Sequence, residues 1–205
     1  EIAEFFFAIG LPIYEGYGLT ETSPVLTCNR KGASRLGSVG QVIEDVTIKI
    51  ADDGEILAKG PNIMQGYYNR PDETAKVLKD GWLKTGDVAV QMPDGFFKIV
   101  DRKKDMICRG GENVYCVEVE NALYDHPTVM DAAVIGKPHK TLGEEPIAVV
   151  HLKPGMHATS DELRHHCAQK IAAFKVPIEV IFWPETLPRN ANGKIIKRDL
   201  KGVFS

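Results

Sequence analysis

Five consecutive charged residues at positions 101–105 divide the sequence into two parts of different character. They follow residues 96–100, an aromatic and β-branched run of the kind that forms strands. Five adjacent charges could not all be buried unpaired without a large free-energy cost, so the chain is predicted to reach the surface here. The glycines at 110 and 111 then allow backbone conformations that a Cβ atom would block. We interpret residues 101–105 as a junction between two structural units; a charged hairpin loop within one domain is the alternative.

Length and composition exclude several classes of protein. A chain of 205 residues allows one domain or two small ones with a hydrophobic core. Its 25 basic and 28 acidic residues create no overall field that would attract nucleic acid or a membrane surface. No apolar run approaches the roughly 18 to 20 residues of a transmembrane helix, and no signal peptide is evident. The four cysteines have no CxxC spacing, so we expect a reducing, cytoplasmic location.

The part before the junction has the turn signals of a small antiparallel β structure. Residues 46–50 alternate between apolar and polar side chains, and the turn residues 52–54 lead into a second strand at 55–58. A further hairpin is predicted through residues 93–95, and the strand before it, 81–88, is expected to break at Gly86. These patterns indicate a small β-barrel or sheet.

Two helices are predicted in the same part. Residues 2–9 place Phe5, Phe6 and Ile9 on one helical face, and the segment 10–12, Gly-Leu-Pro, ends the helix. A second, short helix is expected after residues 70–74. Strands and helices together therefore predict an α+β fold.

The part after the junction mixes helices and strands in one α+β domain. A helix is predicted over residues 113–124, followed by strands at 131–136 and 146–152, the second apolar enough to be central. Thr159 and Glu162 have the spacing of a capping box for a helix that Pro177 ends, and a third strand follows at 178–183.

A loop near the start of the chain carries groups suited to a nucleotide. Tyr17 lies between two glycines, which leaves one face of its ring accessible for stacking on a flat base. Thr20 offers a hydroxyl to phosphate oxygens, and Glu21 offers the single carboxylate that Mg²⁺ accepts together with phosphate. A polar turn with a packed tyrosine is the alternative. Asp87, which follows Gly86, either forms a turn or accepts hydrogen bonds from a ribose diol.

The end of the chain is locally basic. Residues 189–201 contain five basic residues and one aspartate, and the turn signal Asn192-Gly193 would hold Lys194 out on a tight loop as a point charge suited to a polyphosphate. A solvated basic tail is the alternative. No aromatic residue lies nearby for base stacking, so we expect no nucleic-acid partner.

Five segments, in their order and spacing, resemble the adenylate-forming (AMP-binding) superfamily, which includes acyl-CoA synthetases, adenylation domains of peptide synthetases and luciferases. The segments are residues 17–21, 85–87, 101–105, 110–115 and 192–194. The resemblance is closest to the acyl-CoA synthetases and covers essentially the whole chain. The upstream part of a usual member, including its phosphate loop, has no counterpart here, so we expect a C-terminal fragment that is inactive alone.

The resemblance implies a division into two domains. Residues 1–101 would be the C-terminal part of the large AMP-binding domain, with the adenine loop and a β-barrel subdomain, and residues 102–205 a mobile C-terminal domain. The implied reaction joins a carboxylic acid, fatty or aromatic, to coenzyme A through an acyl-adenylate made from ATP, with release of pyrophosphate and then AMP. Loading of a carrier protein, or nucleotide binding without turnover, are the alternatives.

The resemblance also implies roles for individual residues. Tyr17 would stack on adenine, with Gly18 beside it, and Asp87 would accept hydrogen bonds from the ribose hydroxyls. Thr20 would contact phosphate, and Glu21 would bind Mg²⁺. Arg102 would contact ribose or phosphate, and Ile99 would lie alongside the nucleotide.

Four further residues would serve the second domain. Lys194 would stabilise charge during adenylate formation, Lys104 would be the hinge, and Gly110 and Gly111 would form part of the coenzyme A channel. Some relatives, luciferases among them, have a lysine where this chain has Cys108, which we interpret as a packed residue because no histidine lies near it in sequence.

Overall fold

The computed structural model describes residues 2–191 and 193–204. The chain divides into two compact units, Glu1–Lys103 and Lys104–Ser205. The boundary predicted from the sequence followed residue 101, and the structural boundary lies two residues later. Both units combine helices with sheets, so the α+β fold class is confirmed. Among the described residues, no helix has both the length and the apolar character needed to cross a membrane.

The described residues of the first unit form two α-helices and eight strands. They are α1 (Ile2–Ala8), β1 (Gly16–Tyr17), β2 (Thr27–Cys28), β3 (Gln41–Val42), β4 (Thr47–Ile50), β5 (Glu55–Lys59), α2 (Pro71–Val77), β6 (Leu78–Lys79), β7 (Trp82–Gln91) and β8 (Phe97–Arg102). Strands β1, β2 and β3 form one antiparallel sheet, and β4, β5, β6, β7 and β8 form another around β7. In the described residues these strands do not close into a barrel, so of the two predicted forms the sheet is correct.

Both predicted hairpins of this unit are confirmed, but the predicted break at Gly86 is wrong. Strand β7 continues through Gly86, and its pairing with β5 shifts in register between Glu55 and Leu57. Gly86 has φ +73°, a value that glycine adopts without strain, so the strand bulges at this point instead of ending.

The charged junction is also less exposed than the sequence predicted. Asp101 is only 4% exposed, and its Oδ1 accepts a hydrogen bond from the Arg102 backbone N–H at 2.7 Å. The chain reaches the surface one residue later, at Arg102 and Lys103. A carboxylate can be buried in this way when hydrogen bonds satisfy it.

In the second unit, residues 104–191 and 193–204 form five strands and three α-helices. They are β9 (Ile107–Arg109), β10 (Glu112–Val114), α3 (Cys116–Tyr124), β11 (Val129–His139), β12 (Gly143–Leu152), α4 (Ser160–Ala168), β13 (Glu179–Phe182) and α5 (Lys197–Leu200). The strand order is β10-β9-β12-β11, and β13 pairs with β12 in parallel. The prediction that residues 146–152 form a central strand is confirmed.

Two predicted helices of the second unit have different bounds. Residues 112–114 form β10, so α3 begins at Cys116 and not at Asn113. The helix α4 ends at Ala168, although Ile171 and Phe174 still pack against the same core beyond its end. The predicted capping box is present: the Glu162 backbone N–H donates to Thr159 Oγ1 at 3.2 Å, and the Thr159 backbone N–H donates to Glu162 Oε2 at 2.7 Å.

The sheet of the second unit is covered by apolar side chains on both faces. Ala132, Val134, Ala148 and Val150 belong to the cluster that includes residues of α3 and α4. The alternate residues Ala133, Ile135 and Val149 belong to a second cluster with Leu187 and Leu200. Successive side chains of a strand point to opposite faces, so burial on both faces explains the nearly continuous apolar run in β12.

Candidate active site

Three of the predicted nucleotide-binding residues meet in the first unit. Strand β1 carries Tyr17, whose Oη donates a 2.7 Å hydrogen bond to Asp87 Oδ2. Asp87 in β7 pairs with Arg102 in β8, which brings the Arg102 Nε to 3.8 Å from Asp87 Oδ1. The Thr85 hydroxyl accepts a hydrogen bond from the Asp87 backbone N–H at 3.2 Å and fixes the bulge that carries the carboxylate. A phenol, a carboxylate and a guanidinium therefore lie together at this point.

The surroundings of Tyr17 keep its phenol protonated. Burial, and then the hydrogen bond and negative charge of Asp87, raise the pKa of Tyr17 well above its ordinary value, although contacts with Thr85 and Arg102 oppose the shift. The phenol therefore remains a hydrogen-bond donor near neutral pH. Asp87 is mostly buried.

The loop after Tyr17 is wound too tightly for a side chain at Gly18. A Cβ atom there would lie 1.6 Å from the carbonyl oxygen of Pro24, far inside van der Waals contact. The buried Thr22 hydroxyl accepts a hydrogen bond from the Leu19 N–H at 2.9 Å and closes the turn that contains Thr20. Thr20 itself is exposed at the start of this 3₁₀ turn.

Glu21 is oriented by a loop that the sequence analysis did not single out. The hydroxyl of Tyr67 donates to Glu21 Oε1 at 2.9 Å, and the backbone N–H of Met64 donates to the Glu21 carbonyl oxygen at 2.8 Å. The side-chain amide of Asn62 donates to the carbonyl oxygens of Thr22 and Val25, each at 2.8 Å. The hydrogen bond to Glu21 is the main cause of a raised Tyr67 pKa.

A cavity of about 230 Å³ lies beside Glu21 within the first unit. Its walls include Glu21, Tyr67, Thr85 and Gly86, and three lysines, Lys76, Lys84 and Lys103. Among the described residues, no group of three or more His, Cys, Asp or Glu side chains is arranged to hold a metal ion. Glu21 fits Mg²⁺ in the other common way, as one carboxylate whose remaining partners are phosphate oxygens and water.

The end of the first unit is fixed by ion pairs of Lys103 with two carboxylates, of which only Glu55 is buried. The Lys103 Nζ lies 2.7 Å from Glu55 Oε2 and 2.6 Å from Asp53 Oδ2, and Glu55 Oε1 accepts the Gly86 N–H at 3.0 Å. The hydrogen bond from Lys103 lowers the pKa of Asp53, and the reciprocal bonds raise that of Lys103. The next residue, the predicted hinge Lys104, is exposed and lies in a turn.

In the second unit, Gly110 and Gly111 form the two-residue turn between β9 and β10. Their φ values of +60° and +89° are those that a tight hairpin of this kind requires. The Gly110 N–H donates to the Leu142 carbonyl oxygen at 2.8 Å. Cys108, interpreted from the sequence as packed, is exposed, which makes that interpretation wrong: side chains alternate along β9, and its neighbour Ile107 takes the buried position.

Lys194 is exposed on a short loop near the end of the second unit. Its backbone N–H donates to Asn190 Oδ1 at 2.9 Å, and the Gly193 N–H donates to the Asn190 carbonyl oxygen at 2.9 Å. Gly193 has φ +76°. The other half of the predicted turn, Asn192, lies outside the described residues.

The predicted site residues are divided between the units. Ile99 lies in β8, half-buried and paired with Ala89. The first unit contains Tyr17, Gly18, Thr20, Glu21, Asp87, Ile99 and Arg102, and the second contains Lys104, Gly110, Gly111 and Lys194. Sequence reasoning missed Tyr67, which contacts Glu21 across 46 residues, because no local pattern signals that contact.

Comparison with known proteins identifies similar sequences and structures. Residues 1–68 match the family model described as AMP-binding enzyme, and residues 118–194 match that of the AMP-binding enzyme C-terminal domain. The 2-succinylbenzoate–CoA ligase of Bacillus cytotoxicus is 40% identical over 95% of this chain and 42% of its own length. The long-chain-fatty-acid–CoA ligase of Bacillus subtilis is 43% identical over 93% of this chain and 36% of its own.

Solved structures of a CoA synthetase are also similar to this chain. The o-succinylbenzoate CoA synthetase (MenE) of Bacillus subtilis, in complex with the acyl-adenylate OSB-AMP, aligns with a TM-score of 0.88 and 36% identity over 98% of this chain and 43% of that one. In its complex with ATP and magnesium ion the TM-score is 0.86. The chain thus spans about two fifths of the length of the relatives it matches.

Proposed function

Because this chain belongs to the adenylate-forming superfamily of AMP-binding enzymes, we propose that it is the C-terminal part of an ATP-dependent acyl-CoA synthetase. In the first half-reaction, a carboxylate oxygen of the acid attacks the α-phosphorus of ATP, and pyrophosphate leaves. In the second, the thiol of coenzyme A attacks the acyl carbon, and AMP leaves as the thioester forms. The chain spans about two fifths of the length of these relatives, and the activity is proposed for the complete ligase that contains it.

The observation that carries this proposal is the cluster of Tyr17, Asp87 and Arg102. It places a hydrogen-bonding carboxylate and a cation beside an aromatic ring, with Asp87 Oδ2 2.7 Å from the Tyr17 hydroxyl. A nucleoside monophosphate presents the matching groups: a flat base, a ribose diol and an anionic phosphate. In the proposed complex, adenine stacks on Tyr17 next to Gly18, Asp87 accepts the ribose hydroxyls, and Arg102 contacts ribose or phosphate.

The remaining residues of the first unit would contact the rest of the nucleotide. Thr20 is exposed and free to approach a phosphate oxygen, and Ile99 would supply an apolar contact on β8. Glu21 would hold Mg²⁺, which neutralises phosphate charge when it is bound. The cavity beside Glu21 supports this role, because lysine side chains and the carboxylate surround one space of about 230 Å³.

The second unit would supply different groups to the two half-reactions. Lys194 would stabilise the charge that develops when two anionic reactants combine, since a fixed cation favours that transition state. The Gly110 and Gly111 turn would form part of the passage for the coenzyme A thiol. Exposed Lys104, directly after the anchored Lys103, would be the hinge that exchanges these two groups.

The substrate is proposed to be a fatty or aromatic carboxylic acid. Relatives at about 40% identity are named for both classes, 2-succinylbenzoate and long-chain fatty acids. In the described part of the chain none of the four cysteines forms a disulfide, which supports action in a reducing, cytoplasmic compartment.

The test uses the complete ligase that contains this chain. Acid-dependent exchange of pyrophosphate into ATP is expected, and Lys194→Ala should reduce it by about 10²- to 10³-fold because a charge-stabilising group is lost. Transfer of the acyl group from preformed acyl-adenylate to coenzyme A should continue. Lys201→Ala, which removes another exposed cation of the same segment, is the matched control. Equal loss of both half-reactions would contradict the division of roles, and absence of acid-dependent exchange in the unsubstituted ligase would contradict the function.

A further inference from the structure

Asp131 is a buried carboxylate whose position is unexpected in an apolar strand. It lies in β11 and is 3% exposed, with the buried apolar residues Ala132, Ala133 and Val134 directly after it. An unpaired carboxylate at such a site would be strongly destabilising. The side chains that donate hydrogen bonds to Asp131 therefore explain how the carboxylate can be buried.

Two side chains satisfy Asp131, and one of them reaches the Lys194 loop. The Tyr124 hydroxyl donates to Asp131 Oδ1 at 2.7 Å. The Arg189 Nη2 donates to both carboxylate oxygens at 2.7 Å, and the Arg189 Nη1 donates to the carbonyl oxygen of Gly193 at 2.6 Å. One guanidinium thus joins a buried anion to the residue directly before Lys194.

The same loop is fixed on its other side. Arg189 and Ile195 form a backbone bridge, and Asn190 contacts the backbone N–H groups of Gly193 and Lys194. The backbone of Lys194 is consequently held while its side chain points to the surface. Arginine suits this position because its rigid fork can contact a carboxylate and a carbonyl at the same time.

We propose that Asp131 and Arg189 are positioning residues that fix the backbone of Lys194 for adenylate formation. This inference rests on the proposed function. Because the Arg189 side chain is 41% exposed, its main role is not to fill the core. Loss of its fork should misplace Lys194, and a displacement of about 1 Å can reduce a rate by about 10²-fold. A lysine at this position keeps a cation beside Asp131, so the buried carboxylate is not left unpaired.

The experiment measures both half-reactions of the ligase with Arg189→Gln and Arg189→Lys. Both variants should lower the kcat of acid-dependent exchange by about 10- to 100-fold, with little change in the KM for ATP. A lysine can still pair with Asp131 but cannot also donate to the Gly193 carbonyl oxygen. Arg189→Lys therefore keeps the ion pair that stabilises the unit and removes the contact that positions the loop. Acyl transfer from preformed adenylate should stay within about twofold. Arg198→Gln, at a side chain 88% exposed, is the matched control and should leave both rates unchanged.

A second measurement reports on the loop without relying on activity. Limited proteolysis with trypsin, followed by mass spectrometry, should show faster cleavage after Lys194 in both Arg189 variants but not in Arg198→Gln. Unchanged exchange and unchanged cleavage would overturn the inference while the function stands. Equal loss of both half-reactions together with a lowered melting temperature would also overturn it, since that result indicates a structural role. A ligase with no acid-dependent exchange would overturn the proposed function, and this inference with it.

Discussion

The two units bury different kinds of groups. In the described part of the second unit, two clusters of apolar side chains fill both faces of the sheet, and Asp131 is the one buried polar side chain. The first unit buries far more polar groups: Thr22, Thr27, Asn29, Ser38, Glu55, Asp87 and Asp101.

In the first unit, all of these groups except Asp87, whose carboxylate accepts from Tyr17, form side-chain hydrogen bonds to the backbone. Thr27 Oγ1 donates to the Val39 carbonyl oxygen at 2.7 Å, and Asn29 Nδ2 donates to the Ser38 carbonyl oxygen at 2.8 Å. Glycine allows the backbone segments to approach closely at the same places. The first unit, which contains the candidate nucleotide site, is therefore shaped by contacts to the backbone, whereas the second unit is shaped by apolar packing.

The largest effect is expected from Gly18→Ala. The added methyl group would lie 1.6 Å from the Pro24 carbonyl oxygen, so the loop must move. Overpacking against side chains costs about 1 to 3 kcal/mol, and a clash with backbone should lower the free energy of unfolding of the first unit by about 3 kcal/mol or more. Each unit contains one tryptophan, so the fluorescence of Trp82 and Trp183 follows their unfolding separately. The lower free energy of unfolding should appear in the fluorescence of Trp82.

The matching substitution in the second unit is Leu123→Ala. Leu123 is fully buried in α3, and removing its side chain should lower the free energy of unfolding by about 2 to 5 kcal/mol, seen at Trp183. Val117→Ala on the same helix, where the side chain is exposed, is the control and should change it by less than about 0.5 kcal/mol. If either buried substitution shifts both tryptophan signals equally, the units do not unfold separately and the comparison fails.

An intermediate effect is expected from Tyr67→Phe. This change removes the hydroxyl that donates to Glu21 and leaves the ring in place. Groups that orient a metal ligand typically change metal affinity by 10- to 100-fold, and the partly exposed Tyr67 should be at the lower end, about tenfold. The Mg²⁺ concentration for half-maximal exchange should rise in the complete ligase, and the affinity for Mn²⁺ with ATP, measured by electron paramagnetic resonance, should fall.

The adjacent tyrosine provides the control. Tyr68 is 92% exposed, so Tyr68→Phe makes the same chemical change without removing a contact to Glu21. Its Mg²⁺ requirement should match that of the unsubstituted ligase. If Tyr67→Phe changes the melting temperature but not the metal requirement, the hydroxyl stabilises the loop only.

The sequence predicted apolar packing better than it predicted polar contacts. The apolar pattern of residues 146–152 predicted a central strand, because burial on both faces leaves a direct signal in composition. Polar contacts leave no such signal: Tyr67 and Glu21 are 46 residues apart, and Arg189 and Asp131 are 58 apart.

Local errors have local causes. The helix predicted to begin at Asn113 begins at Cys116 in the structure. Gly110 and Gly111, both with positive φ, turn the chain back so that residues 112–114 pair with β9 as a hairpin. Asp101 was expected at the surface because five adjacent charged residues cannot all be buried. That expectation did not take into account that hydrogen bonds can satisfy one buried carboxylate among them. The candidate site residues carried recognisable motifs, but the contacts that hold them required the fold.

The smallest effect is a dependence of stability on pH between 7 and 5, which is expected in the second unit and not in the first. All six histidines of the chain lie in this unit. His166 packs edge-to-face on His126, and burial, followed by the charges of His126 and Lys170, lowers its pKa below the ordinary 6.5, although Asp125 and the Ala122 carbonyl oppose the shift. The unfolded chain therefore binds a proton at a higher pH than the folded chain does.

The sign of the effect follows from this order of protonation. His166 contributes its full stability above about pH 6.5, and the contribution is lost as the pH falls through the lower folded value. Between pH 7 and 5 the free energy of unfolding reported by Trp183 should decrease, while that reported by Trp82 should stay nearly constant. His166→Gln should reduce the slope at Trp183, whereas His165→Gln, at the exposed neighbour on α4, should not. An equal slope at both tryptophans would show that carboxylates, and not His166, control stability in this range.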